Sequence, residues 1–118
     1  MKPKFDKVKA FVPSQNFELS KRFYAELFEQ AWTVEKLCGF TVGGSEFLLQ
    51  DFYQREFADN CMYQVMCSDA HEAWQFLSEI VQKYPGTSVR PPKAEPWGTV
   101  VYLIGPSGEL WHVTQANA

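Results

Sequence analysis

Phe11-Val12-Pro13-Ser14 and Val65-Met66-Cys67-Ser68 stand 54 residues apart, and each closes a strand-like run just ahead of a helix. In the first instance Lys7 to Val12 reads as the strand and Pro13-Ser14 ends it. Phe17, Ser20-Lys21, Phe23-Tyr24 and Leu27-Phe28 then recur at helical spacing, with Ser14 or Asn16 available as N-cap. In the second, Met62 to Cys67 is the strand, and Asp69 followed three residues later by Glu72 has the spacing of a capping box. Trp74, Leu77, Val81 and Tyr84 make the expected buried stripe of that helix, and Pro85-Gly86 stops it. The same offset lays Phe23 on Leu77 and Leu27 on Val81, so the two stretches read as one unit used twice.

Outward from these anchors, each helix is followed by three short extended pieces. In the first half they fall at about 32–36, 39–43 and 46–52, with Gly43-Gly44 as a hairpin turn. In the second half they fall near Ser88 to Pro91, at Thr99 to Ile104, and at Glu109 to Thr114 after the turn Gly105-Pro106-Ser107-Gly108. A longer loop at 91–98 raises the repeat offset to 63 and lays Glu46-Phe47-Leu48-Leu49 on Glu109-Leu110-Trp111-His112. The expected fold class is therefore α+β, with tandem βαβββ modules at about 5–53 and 61–115 in a single domain spanning 1–118.

Composition narrows the partners. The 118 residues carry a net charge of −3 with Lys and Arg scattered, which disfavours nucleic acid. No apolar run reaches the roughly 18 to 20 residues that cross a bilayer, and no h-region follows the first residues, so a soluble cytoplasmic protein is expected. Cys38, Cys61 and Cys67 form no CxxC pair and are read as small buried hydrophobes. Aromatic residues make up 16% of the chain, enough to suggest an aromatic-lined pocket or an oligomer interface besides the core.

The doubled βαβββ plan, with Asn16-x-x-x-Ser20-x-x-Phe23-Tyr24 opening the first helix, resembles the vicinal oxygen chelate superfamily of glyoxalase I, extradiol dioxygenases and bleomycin-resistance proteins. The ordered pair Glu95-Pro96-Trp97-Gly98 and Gly105-Pro106-Ser107-Gly108-Glu109-Leu110-Trp111-His112 is most similar to the bleomycin-resistance branch, where a PWG segment, a DPxG turn and a histidine follow in that order. Gly105 departs from the family's usual Asp, an exchange expected to loosen the turn. The resemblance implies a curved, half-barrel mixed sheet with helices on its outer face, enclosing a cup.

It also implies where metal-dependent relatives hold their ion: one position on the first and one on the last strand of each module. Those positions map to Lys9 and Tyr63 on the first strands, and to His112 and Leu49, or Gln50 with a one-residue slip, on the last. His112 alone is an ordinary metal ligand, and Lys9 would repel a cation, so no metal or cofactor is expected. His71, in the first turn of the second helix, is read as a solvated residue.

Three functions fit the pattern. In the first, a homodimer binds, and so sequesters, a small planar or aromatic molecule in the cup. Lys9, Phe11, Tyr63, Val65, Leu110 and His112 then face the ligand by strand alternation, Gln50 joins them, and Trp97 stacks on it. Asp51, Glu56, Asp59 and Glu95 lie in loops near the same rim and read first as a solvated polar rim, with a preference for cationic ligands as the alternative. The second is a glyoxalase-type lyase or isomerase with His112 as general base. The third is a structural or regulatory dimer with a vestigial pocket.

Overall fold

The computed structural model describes residues 1–117. Strand β1 (Phe11–Pro13) leads into helix α1 (Phe17–Leu27), whose first turn is closed by Asn16, the side-chain oxygen accepting from the Leu19 amide at 3.2 Å. The C-cap residue Phe28 is already extended, so β2 (Glu29–Val34) follows directly, three residues earlier than expected. Glu35, at a left-handed φ of 49°, and Lys36 turn the chain into β3 (Leu37–Val42). Gly43, at φ 55°, and Gly44 form the anticipated two-residue turn into β4 (Ser45–Gln50).

A short helix α2 (Arg55–Ala58), absent from the sequence reading, bridges to β5 (Met62–Met66). Helix α3 (Ala70–Val81) begins at Asp69 as read, with the carboxylate accepting from the Glu72 amide at 3.1 Å. Leu77 lies in its buried stripe as expected. Ala70 and Ile80 are the other fully buried members, while Trp74, Val81 and Tyr84 pack at the margin. The extended piece near Ser88 to Pro91 resolves into two strands, β6 (Ser88–Val89) and β7 (Lys93–Glu95), before β8 (Gly98–Ile104) and β9 (Leu110–Ala116).

These strands form two curved, unclosed mixed sheets, ordered β1-β4-β3-β2 and β5-β9-β8-β6, with β7 also pairing with β8. In each the module's first strand lies parallel to its last, so the expected α+β fold class is observed, with four strands rather than three after the second module's helix. The first strand is shorter than Lys7 to Val12. It has a neighbour on one side only, and its pairing ends where the Ala10 carbonyl accepts from the Leu48 amide at 2.9 Å. Val12, Cys38, Phe40 and Leu49 of the first sheet and Val101, Leu103, Trp111 and Val113 of the second turn their side chains to the helices and share one core.

A polar chain crosses that core. The Trp111 indole N–H donates to the Tyr24 hydroxyl at 2.8 Å, and that hydroxyl donates to Glu109 Oε2 at 2.5 Å. The other oxygen of Glu109 accepts from the Ser107 amide at 2.8 Å, and Ser107 Oγ accepts from the Gln15 amide at 2.7 Å. Glu109 is wholly buried, and burial, the largest effect, pushes its carboxyl above the usual range while its donors pull it down. Gly105 leaves the room this requires: a Cβ there would stand 2.6 Å from the Glu109 carboxyl carbon and 2.8 Å from the Tyr24 hydroxyl. The glycine is a fitted part of the turn rather than a loosening of it.

Gly105→Ala should therefore cost on the order of 2 to 4 kcal/mol in urea unfolding, by overpacking and by breaking the Glu109 bonds. Gly44→Ala, with nothing within 4 Å of the added Cβ, should stay within about 0.5 kcal/mol. Equal costs for the two would contradict the packing at Glu109. Because the folded carboxyl of Glu109 binds its proton more tightly than the unfolded one, its contribution is fully present below the unfolded value near 4.5 and is lost as pH rises through the raised folded value. The difference in unfolding free energy between the parent and Glu109→Gln should shift in the parent's favour as pH falls through that window. A pH-independent difference would contradict the raised value.

Candidate functional site

Alternation along β9 separates two neighbours. Trp111 points to the helix side and is 4% exposed, whereas His112 points to the opposite, open face of the second sheet. Cross-strand register identifies what shares that face. Leu110 lies opposite Ile104 and Met62, His112 opposite Tyr102 and Gln64, and Thr114 opposite Val100 and Met66. The His112 ring meets the Tyr102 ring edge-on at 4.9 Å. Tyr102, Ile104 and Leu110 floor a cavity of about 530 Å³ whose wall is built by Ser88, Arg90, Pro91 and Lys93. The second module alone lines it.

Charge at this cavity differs from the alternative of an acidic rim that favours cations. Glu95 accepts a hydrogen bond from the Tyr102 hydroxyl, an interaction that raises the phenol's pKa, and it stands 4.0 Å from Lys93. Asp59 is held by Arg55 at 3.4 Å, Glu56 lies in α2 beside a different recess, and Asp51 is exposed after β4. The acidic residues are thus dispersed, and Arg90 and Lys93 occupy the wall instead. Sequence pattern does not single them out, because Arg90 lies in an extended piece too short to show alternation and Lys93 lies in the 91–98 loop, where side-chain direction has no period.

Of the expected cup residues, His112 and Leu110 share the open face. Tyr63 and Val65 do not. They stand opposite Trp111 and Val113 on the helix side, and they line a second cavity of about 530 Å³ between the sheets, together with Ala10, Phe47 and Trp111. The Tyr63 ring lies 5.0 Å from that of Trp111, its hydroxyl donates to the Phe11 carbonyl at 3.1 Å, and burial pushes its phenol up. The helix caps Asn16 and Asp69 are 53 residues apart, so the structural offset is one less than 54. Val12 and Val65 are then equivalent, both turned inward, and Gln64 takes the place on the open face assigned to Tyr63 and Val65.

The first-module residues are likewise relocated. Lys9 lies ahead of β1, exposed, in an ion pair with Glu46 at 2.7 Å that lowers the carboxyl's pKa. Phe11 and Gln50 lie on the open face of the first sheet, away from the His112 cavity, and Leu49 is fully buried. Matching the inward pairs Val12 with Leu49 and Val65 with Val113 makes Leu48 the counterpart of His112. Trp97 is half exposed at the tip between β7 and β8. It is five residues from Tyr102 along the strand, roughly 16 Å, so it is not brought to His112. Cys38 is buried, while Cys61 and Cys67 are half-buried, and all three are free thiols.

These residues do not fit the ion that the resemblance to metal-dependent relatives would place here. At the mapped positions an ammonium ion, an apolar side chain or amide, and a packed phenol accompany a single imidazole. No group of three His, Cys, Asp or Glu able to hold an ion occurs among the described residues. The His112 ring meets Tyr102 edge-on, so the face offers stacking and hydrogen bonding.

No family model matches the sequence, and no curated protein sequence matches it. The fold is nonetheless shared by solved structures across nearly the whole chain. The bleomycin-binding protein of Streptomyces verticillus, complexed with copper(II)-bleomycin, is 18% identical over 98% of this chain and 100% of its own, with a TM-score of 0.76. The bleomycin resistance determinant encoded on transposon Tn5 is 19% identical over 97% and 100%, with a TM-score of 0.77. A glyoxalase/bleomycin resistance protein/dioxygenase from Nocardioides is 19% identical over 95% and 84%, with a TM-score of 0.71. The chain thus has the vicinal oxygen chelate fold that its motifs imply, in the form shared by bleomycin-binding proteins.

Trp111→Ala should cost about 3 to 5 kcal/mol of stability, through a cavity and a lost bond to Tyr24. His112→Ala should stay within about 1 kcal/mol. Denaturant unfolding of both variants checks the register of β9, and the reverse order of costs would place His112 inward.

Proposed function

We propose that this protein binds a small planar aromatic molecule, without a metal ion, in a cup that two copies of the chain complete. The observation that carries the reading is the open cavity floored by Tyr102, Ile104 and Leu110 and walled by polar groups, with His112 packed against the Tyr102 ring beside it, which draws on one module only. The open face of the first sheet is unpartnered too, with Phe11 49% and Trp32 36% exposed, and Met62 and Met66 stand exposed along the free edge of β5. Covering such surfaces with a two-fold mate is the economical solution for a chain this small. The mate would bring Phe11, Gln50 and Lys9 of the first module towards Leu110 and His112 of the second.

Sequestration of an antibiotic-like compound is the activity that this arrangement suits, since it offers stacking and hydrogen bonding. Neighbours of the same fold hold bleomycin, which supports a ligand-binding role for the cup. No helix is long and apolar enough to cross a membrane. Three free thiols suit a reducing compartment, and we place the binding in the cytoplasm.

The test is titration of chelator-treated protein with 2-naphthamide, a neutral planar probe, followed by thermal shift and tryptophan fluorescence. Saturable binding should survive chelation, and His112→Ala should weaken it by about 1 to 2 kcal/mol while leaving folding intact. Light scattering at micromolar concentration should report twice the 13.6 kDa chain mass. Binding that needs added metal, or that ignores His112→Ala, would overturn the site. A monodisperse monomer would overturn the shared cup.

A further inference from the structure

Strand register fixes where two cations stand. Ser88 and Val89 lie opposite Ile104 and Leu103, and the Arg90 amide continues the ladder by donating to the Tyr102 carbonyl at 3.1 Å. Lys93 lies opposite Val100. Residues directly opposite in an antiparallel ladder share a face, so Arg90 stands beside Tyr102 and Lys93 beside Val100, on the face that carries His112. Both line the same cavity. Across the sheet the central row runs guanidinium, phenol, imidazole and amide, from Arg90 through Tyr102 and His112 to Gln64.

The carboxylate on this face is Glu95, opposite Gly98. It is engaged by the Tyr102 hydroxyl and stands 4.0 Å from Lys93. Arg90 forms no ion pair with a carboxylate among the described residues. Two cations therefore face the cavity against one occupied carboxylate, although the chain as a whole carries −3. A local positive field on an acidic protein, set over an apolar and aromatic floor, selects ligands by charge as well as by shape.

We infer that the cup takes a planar aromatic acid, with its carboxylate met by Arg90 and Lys93 and its ring lying against Tyr102, Leu110 and His112. The inference rests on the cup being a ligand site, and it assigns the class of ligand. A guanidinium presents paired N–H donors that match a carboxylate, and the nearby ammonium adds a point charge to the same oxygens. The floor supplies apolar contact for a ring but no anion to balance a cationic substituent.

Three probes that share one ring separate these elements: 2-naphthoate, 2-naphthamide and 2-naphthylmethylammonium, each titrated into the full chain. Naphthoate should bind on the order of tenfold tighter than the amide, and the ammonium weakest. Added NaCl should narrow the gap between acid and amide. Arg90→Gln and Lys93→Gln should each reduce the preference for acid over amide, and together abolish it, with the circular dichroism spectrum and the urea unfolding midpoint unchanged as the check on folding. Arg90→Lys should keep part of that preference. An acid bound no better than the amide by the parent protein, or an acid preference that survives the double substitution, overturns the charge assignment and leaves the cup in place. Failure of all three probes to bind overturns the cup and this inference together.

Discussion

The bond from the Tyr24 hydroxyl to the buried carboxyl of Glu109 is the constraint on which the remaining geometry depends. A carboxyl with no exposed surface loses several kcal/mol of hydration, and it stays in place only because each oxygen has a donor. Tyr24 comes from the first helix and Glu109 from the last turn, so the bond ties one module to the other. By accepting from Trp111 as well, the same hydroxyl holds the indole inward. Once Trp111 is fixed on the helix side, alternation leaves His112 no choice of face. A stability device in the core thus sets the register of the candidate site one residue away.

That relation explains how much of the molecule was legible in its sequence. The repeated strand-and-helix plan is written in helix caps and turns, local signals that need no tertiary knowledge. Asn16, Asp69, Gly43-Gly44 and the 105–108 turn were all readable, and the α+β fold class followed from them. Side-chain direction is less forgiving. A one-residue error in the offset between modules, 54 in place of the 53 that separates the caps, sends Tyr63 and Val65 to the wrong face while leaving every strand assignment intact. His112 and Leu110 escaped the error because their register was counted from the nearby glycine turn.

Other features lie beyond sequence pattern altogether. Nothing local announces that Gly105 is required by a carboxyl four residues on, since the contact also needs a tyrosine 81 positions earlier in the chain. Arg90 lies in a very short extended piece and Lys93 in what reads as a loop, and only the pairing of β6 and β7 with β8 shows which way they point. The carboxylates at 51, 56 and 59 are exposed, as the reading of a solvated rim has them, and they do not line the cavity that Arg90 and Lys93 wall.

The two modules keep the same scaffold but carry unlike open faces. At the place of His112 and Gln64 the first module has Leu48 and Phe11, both apolar, whereas the second carries the row from Arg90 to Gln64. Such divergence is cheap, because the core residues shared by the two sheets, Val12, Leu49, Trp111 and Val113 among them, lie on the helix side. If two copies meet so that unlike faces oppose, a flat ligand has an apolar surface above it and a stacking, hydrogen-bonding and cationic surface below. The ring is then desolvated on both sides while its polar edge keeps partners on one. Like faces opposed would instead set Arg90 and Lys93 against their own copies, so like-charge repulsion disfavours that arrangement unless an anion lies between them.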